Sequence, residues 1–400
     1  MEFWKESFET PPFKEKKQGS PAHTKKNEKI KKRRNQFPAL ILLIFMLSGI
    51  FIYLQWPRFE IIPLGSFGGQ FSTAEAINNN GQIAGYSQLP NGHTHAFICE
   101  PDSKIVDIGT LGGNNSYAQD LNDKGQVVGY SENSEGTRRA FIWDSTTGMK
   151  DLIPTIGESS EASAINNIGQ IVGFYKANDN ENHGFLWDPI KGFTELTSPY
   201  GKSCTPKAIN DNGQVVGNML APNEKEHAFY WDKKSGMIDI VGPDGQKSFA
   251  TGINNKGQVV GNFLQKEINN YSGFVWEKDS GLKDLKISKI ESFIKKINDS
   301  GQMIGYVQSA KFLFIPKKSC SFFRTPFGLV VDLNKSSKVK SDAVKAEAIN
   351  NQNWIAGQID SNTLKPRYQP VLLKPEKSKL WELKNLISGF YNKNIKRLKK

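Results

Sequence analysis

The chain has 400 residues and a formal net charge of +12, from 52 Lys and Arg against 40 Asp and Glu. The excess is uneven: residues 1–36 carry +6 and residues 386–400 carry +5, so the long middle is close to neutral. This distribution argues against a broad basic face for nucleic acid and assigns the high isoelectric point to two tails.

Residues 1–36 read as a basic cytoplasmic tail that ends in Lys31, Lys32, Arg33 and Arg34. Residues 37–56 follow without a single charge. Twenty such residues in a helix span about 30 Å of hydrocarbon. With the basic flank in front, they predict a single-pass signal anchor with its N-terminus in the cytoplasm, and a periplasmic or extracellular domain behind it. A cleaved signal peptide is the alternative, disfavoured by the long leader and by the lack of a small-residue cleavage site after the apolar run. No Cys lies near the run to carry a lipid.

From residue 57 to about 385 the chain is a repeat domain. A Gly-Gln pair recurs at Gly81, Gly125, Gly169, Gly213, Gly257 and Gly301, a step of 44 residues. A degraded copy follows 52 residues on, with Asn353 in place of Gly. A strict period of this length means a repeat architecture. In the second unit four short apolar segments appear: Ser116 to Leu121, Gln126 to Tyr130, Ala140 to Trp143 and Met149 to Leu152. They are rich in β-branched and aromatic residues and lack a 3.6-residue period, so they predict strands. The first turn, Asn122-Asp123-Lys124-Gly125, suits a type I turn closed by a left-handed residue. Asn122 can bond the backbone two residues on, Gly125 takes the positive φ, and Asn353 is the next most tolerant residue at that place.

The third strand is apolar on both faces, with Phe141 and Trp143 on one and Ala140 and Ile142 on the other. Such a strand belongs to a sheet sandwiched between two others. The prediction is therefore an all-β propeller of about seven four-stranded blades, seven or eight being the open choice, with an open β-solenoid as the competing architecture. Phe59 to Leu64 resembles an extra fourth strand that could close the ring on the last blade. A Gly recurs inside the second strand (Gly85, Gly129, Gly173, Gly217, Gly261, Gly305, Gly357), where a neighbouring blade's aromatic is expected to pack.

The combination of Ile-Asn-x-x-Gly-Gln, His95-Ala96-Phe97, His227-Ala228-Phe229 and Leu111-Gly112-Gly113 resembles the HAF-repeat family of bacterial extracellular proteins, over about Phe59 to Leu383. The pattern departs at Arg139-Ala140-Phe141, His183-Gly184-Phe185 and Ser272-Gly273-Phe274, and most in the last two units. The resemblance implies an extracytoplasmic, propeller-like domain and no particular reaction.

Candidate chemistry is sparse. An acid precedes Leu or Ile in each fourth strand (Asp107, Asp151, Glu195, Asp239, Asp284, Asp332, Glu382), and a residue present in every blade reads as structural. His95, His183 and His227 share one strand position in different blades, which argues against a zinc site. Asn178 to Asn182 is oxygen-rich without a calcium-loop signature. The Gly-rich stretches Gly65 to Gly69 and Gly109 to Gly113 open no helix and carry no Lys, so they are connections and not phosphate loops. Cys99, Cys204 and Cys320 make no disulfide framework, although one pair plus one free thiol is open, and Cys99 reads as core. No catalytic residue, cofactor or metal is predicted. Binding is expected where repeats disagree: Arg138 and Arg139 in place of His, the loop Gly242 to Ser248, and Phe322, Phe323 and Arg324 in the lengthened sixth unit. Residues 386–400 form a basic tail whose apolar residues space as a helical stripe. The reading is a membrane-tethered binding or scaffold module for a protein or glycan. Its rivals are a propeller hydrolase, marked by a non-repeated acid pair at one channel mouth, and a purely structural surface protein.

Overall fold

The computed structural model describes residues 57–240, 245–288, 291–308, 319–336, 343–360 and 368–376. The expected span at 37–56, both charged tails and Glu382 lie outside the described residues, as does part of the loop at 242–248. Among the described residues no helix is long and apolar enough to cross a membrane.

The strands form seven four-stranded antiparallel sheets. Six take their strands in sequence order, starting with the inner strands Ser72–Ile77, Gly112–Leu121, Ser159–Ile165, Cys204–Ile209, Ser248–Ile253 and Glu291–Ile297. We number these blades one to six. Blade seven starts with Ala343–Ile349 and takes its outer strand from the other end of the domain: Phe59–Pro63 pairs antiparallel with Tyr368–Pro375. The expected closure of the ring is thus observed. Pro63 holds the register place of the fourth-strand acid, and Leu64 N–H donates to Pro370 O at 3.0 Å as Ile108 N–H does to Ala96 O at 3.1 Å. The seventh blade therefore needs no strand at Glu382.

The apolar core is seven clusters, each straddling two neighbouring blades, including the pair seven and one. Third-strand alternation directs this packing. Phe141 and Trp143 join the cluster shared with blade one; Ala140 and Ile142 join the one shared with blade three. A blade accordingly buries both faces only when it has two neighbours, which drives closure.

Every inner strand carries a β-bulge at the same place, for example between Ala74 and Ala76, and between Ala118 and Asp120. The bulge explains the Gly in the second strand and corrects the expectation about it. A Cβ on Gly129 would sit 2.0 Å from the Tyr117 carbonyl oxygen, and one on Gly85 would sit 2.1 Å from the Thr73 oxygen. The aromatic over Gly85 is Phe97, its own register partner in the same blade.

The Asn-led turn forms as predicted. Gly125 has φ +75° and Asn353 +64°. Asn122 Oδ1 accepts from Lys124 N–H and Gln126 N–H, both at 3.1 Å. Its Nδ2 donates to Gln126 Oε1 at 2.8 Å and to the main-chain oxygen of Asn166 in the next blade at 3.1 Å. The same inter-blade bond runs from Asn78 to Asn122, Asn166 to Asn210, Asn210 to Asn254, Asn254 to Asn298, Asn298 to Asn350 and Asn350 back to Asn78.

These contacts give a stability prediction. Gly129→Ala should cost about 3 kcal/mol or more, because the Tyr117 carbonyl beside the bulge cannot retreat without breaking the ladder. Gly148→Ala, at φ +71° with nothing within 4 Å, should cost about 1 kcal/mol from backbone strain alone. Chemical denaturation of the two variants checks the difference; equal losses would contradict the bulge account.

Candidate binding site

A bulge leaves one residue of its strand unpaired and turns it out of the ladder. In all seven inner strands that residue faces the central channel: Glu75, Gln119, Ser163, Lys207, Thr251, Lys295 and Glu347. They line a cavity of about 290 Å³. The flanking positions are nearly constant small or apolar residues followed by Ile-Asn or Leu-Asn, whereas the bulged residue takes five identities over the seven blades. One blade position thus gives the channel a lining of mixed sign and size.

Two bulge-flanking residues add charge. Asp120 and Lys296 replace the Ala or Gly found at that position in the other blades. Burial raises the Asp120 carboxyl above its ordinary value, against the opposing pull of Lys296 and of the Ile165 N–H, which donates to it at 3.0 Å. Burial also raises Glu75, and the neighbouring Glu347 adds to the effect. Burial opposes the charge on Lys295, but the Glu347 carboxylate at 2.7 Å outweighs it and raises the ammonium. Lys207 is lowered, mainly by burial. Around one mouth stand half-buried aromatic rings in two runs. Tyr86, Tyr117 and Tyr130 meet at 5.0 and 4.8 Å, and Tyr271, Phe293 and Tyr306 at 5.4 and 4.9 Å.

The opposite mouth is closed down by the Asn ring and by a second ring beside it, Asn79, Asp123, Asn167, Asp211, Asn255, Asp299 and Asn351. In the second ring each backbone N–H donates to the side-chain oxygen of the next member, from Asn79 round to Asn351 and back to Asn79.

The residues singled out in the sequence are scattered. Arg138 is at the aromatic mouth, 5.2 Å over the Tyr130 ring and 3.3 Å from Glu161. Arg139 is 6% exposed and structural: it bonds Asp151 at 3.0 Å and the Gly157 and Ile153 carbonyls. Phe322 and Phe323 are each 2% exposed, in two different inter-blade clusters, so the expectation that they form an exposed interface is corrected. The reason is parity: in a strand sandwiched between blades, successive side chains enter opposite cores. Arg324, lowered by burial, ends the same strand, on the face opposite Arg138.

The repeated acids and the His residues explain each other. His95 bonds Asp107 at 2.8 Å, His183 bonds Glu195 at 2.8 Å and His227 bonds Asp239 at 2.9 Å; Arg139 with Asp151 and Ser272 with Asp284 fill the same role. They clip the third strand to the fourth. Asp179 of the oxygen-rich loop is taken by His183 and by the Glu181 N–H. Among the described residues no group of three or more His, Cys, Asp or Glu is placed to hold a metal. All three Cys are free, with Cys99 and Cys204 buried.

A family model described as a protein of unknown function (DUF3466) matches residues 71–200, about a third of the chain. No curated protein matches. In fold the chain is similar to Pyrococcus horikoshii acylaminoacyl peptidase, at 11% identity and TM-score 0.50, covering 79% of this chain and 54% of that one. It is similar to puromycin hydrolase at 12% and 0.54, covering 77% and 52%. It is also similar to the β-propeller domain of the Trilobed protease from Pyrococcus furiosus, described as having an open velcro topology, at 8% and 0.53, covering 77% and 99%. The chain thus spans about half the length of the first two, and the likeness is one of fold alone.

Two outcomes test this site description. Phe323→Ser should destabilise by about 3–5 kcal/mol, as for truncation of a buried ring, where an exposed residue would cost almost nothing. Glu75→Gln should stabilise at neutral pH. The raised folded-state pKa means that the native protein holds the Glu75 proton above the ordinary value of 4.5, so this group's contribution falls as pH rises from there through the folded pKa. Melting curves of the Gln variant should lose that decline; an unchanged pH profile would remove Glu75 from its buried place.

Proposed function

We propose that this chain is a binding module that receives a small polar ligand, or the end of a larger one, at the aromatic mouth of the propeller channel. The observation that carries it is the bulged position: one site per blade, constant in backbone geometry and varied in side chain, all seven facing one cavity. Structural repetition alone gives no reason for Glu, Gln, Ser, Lys, Thr, Lys and Glu to differ there. The proposal includes the tether: the charge-free residues 37–56 behind Lys31 to Arg34 anchor the module in a membrane with the propeller outside the cytoplasm. It also includes kinship with the HAF-repeat proteins, carried by the His-Ala-Phe and Leu-Gly-Gly motifs.

Ser163→Trp places an indole in the channel. The full-length variant in detergent should keep its melting temperature within a few degrees and lose binding to whichever arrayed glycan or peptide the native chain retains. Retained binding would put the site elsewhere. A reporter that works only outside the cytoplasm should be active at the C-terminus, and recovery of a soluble chain beginning after Trp56 would refute the uncleaved anchor.

A hydrolase reading draws on one observation. Glu75 and Glu347 form a non-repeated acid pair on adjoining inner strands, one with a raised pKa and the other bonded to Lys295. Two carboxyls in unlike environments can divide acid and base roles. Turnover of chromogenic glycosides or peptides by the native chain, lost in both Glu75→Gln and Glu347→Gln, would support it; absence of turnover by the native chain would exclude those substrate classes.

A further inference from the structure

The charges of the channel are not evenly matched. Two of the three carboxylates lining it are ion-paired within the protein, and the bulge-flanking Asp120 is held by a backbone N–H. Glu347 holds Lys295 at 2.7 Å, Glu161 holds Arg138 at 3.3 Å, and Asp120 accepts from the Ile165 N–H at 3.0 Å. Glu75 accepts from the Thr73 hydroxyl at 3.5 Å, and the nearby Tyr86 hydroxyl favours its charged form.

The ammonium groups are unlike them. Of the three lysines lining the cavity, only Lys295 has an ion pair among the described residues. Lys207 lies 5.7 Å over the Phe174 ring, a contact that leaves its N–H groups free to donate. Lys296, from blade six, makes no hydrogen bond or ion pair among the described residues; its charge acts at longer range, favourably on Asp120 and Glu75 and unfavourably on Lys207.

Neutral donors gather on the same side as Lys207. Neither Gln119 nor Ser163 bonds to the described protein, and both face the cavity. Asn218 accepts from the Ala250 N–H at 3.0 Å through Oδ1, leaving Nδ2 toward the cavity it lines. Its counterpart Asn262 uses both ends, on the Ile294 N–H and the Ile294 oxygen. Thr251 likewise gives its hydroxyl to the Val260 and Ile294 carbonyls. The open donors are thus confined to blades two, three and four, facing Lys296.

We infer that the channel takes the oxyanion end of a small polar ligand, a carboxylate or a phosphate monoester, with Lys207 and Lys296 as its direct charge partners. This rests on the channel being the binding site, and it names the chemistry bound there. Two ammoniums without an ion pair among the described residues, beside several open N–H and O–H donors, favour an anion over a cation on this side of the channel. Phe249, half-buried in the same wall, offers an apolar face for a ring. A cavity of about 290 Å³ lies at the small end of ligand pockets, so the fit is a single uronic acid or sugar phosphate, alone or at the end of a chain.

The test is calorimetric titration of the full-length chain in neutral detergent with glucuronate, glucose 6-phosphate and glucose. At least one anion should bind, and glucose should bind at least roughly tenfold more weakly, the worth of one charged hydrogen bond. The tighter anion identifies the group as carboxylate or phosphate. Lys207→Met and Lys296→Met should each weaken that anion by roughly tenfold; the melting temperature should hold or rise in Lys207→Met, which removes a desolvated charge, and fall slightly in Lys296→Met, which takes the opposing charge from Asp120. Using two variants guards against one failing to fold. Glucose binding as tightly as the anions, anion affinity unchanged in both folded variants, or no binding of either anion at millimolar concentration would each overturn the assignment. The channel reading itself falls only if an arrayed ligand still binds the Ser163→Trp chain.

Discussion

The Asn that opens each inner turn is the contact on which the rest depends. Its oxygen closes its own turn and its amide nitrogen holds the next blade, so turn geometry and blade spacing are set by one side chain. In blade two the oxygen takes two backbone N–H groups at 3.1 Å, while the nitrogen reaches the Asn166 carbonyl at the same distance. Such bonds are worth about 1 kcal/mol each, but these are buried, and a buried unpaired carbonyl costs more than the bond returns. Repeated in every blade, the contact makes the channel end a closed belt. The inner strands are then pinned at one end and free to vary at the other, where the aromatic mouth opens.

The bulge turns that regularity into a site. It withdraws one residue per blade from ladder and core alike, so its side chain is free of packing demands. The constraint moves to the second strand, where Gly85, Gly129 and their counterparts must lack a Cβ to admit the carbonyl two residues before the bulged one. An invariant Gly and a variable polar residue are two sides of one backbone irregularity. The aromatic and charged wall around Glu75, Lys207 and Lys295 follows from it without insertion of any loop.

Much of the fold was legible because its determinants are local and repeated. The Asn-x-x-Gly turn, the two-faced third strand and the 44-residue step gave the blade and its stacking, and Phe59 to Leu64 announced the closing strand by its likeness to other fourth strands. The site was less legible. Phe322 and Phe323 stand out by composition in a lengthened unit, yet their parity in a two-faced strand puts both in the core. The readable signal lay inside the motif, as the one polar residue before Ala-Ile-Asn or its variants that takes five identities in seven copies. A bulge cannot be seen in a pattern of alternation, because the extra residue only shifts the phase; Ala74-Glu75-Ala76 reads as an ordinary strand until the register with Gly85 is known.

The second ring shows how an odd number of blades constrains sequence. Asp123, Asp211 and Asp299 alternate with Asn, and Asn167 and Asn255 each donate to the carboxylates on both sides, at 3.1 and 3.2 Å. Alternation of this kind keeps like charges apart, since an Asp beside an Asp would face repulsion with no side-chain donor between them. Seven members cannot alternate completely, so one like pair is forced. It falls at Asn351 and Asn79, where the backbone N–H of Asn351 still reaches Asn79 Oδ1 at 3.0 Å. An Asn pair is the tolerable mismatch, because each amide carries both donor and acceptor, whereas an Asp pair would carry only acceptors. The forced pair joins blade seven to blade one, where the last repeat meets the first. The charge pattern of the belt therefore marks where the ring was closed, independently of the strand pairing that closes it.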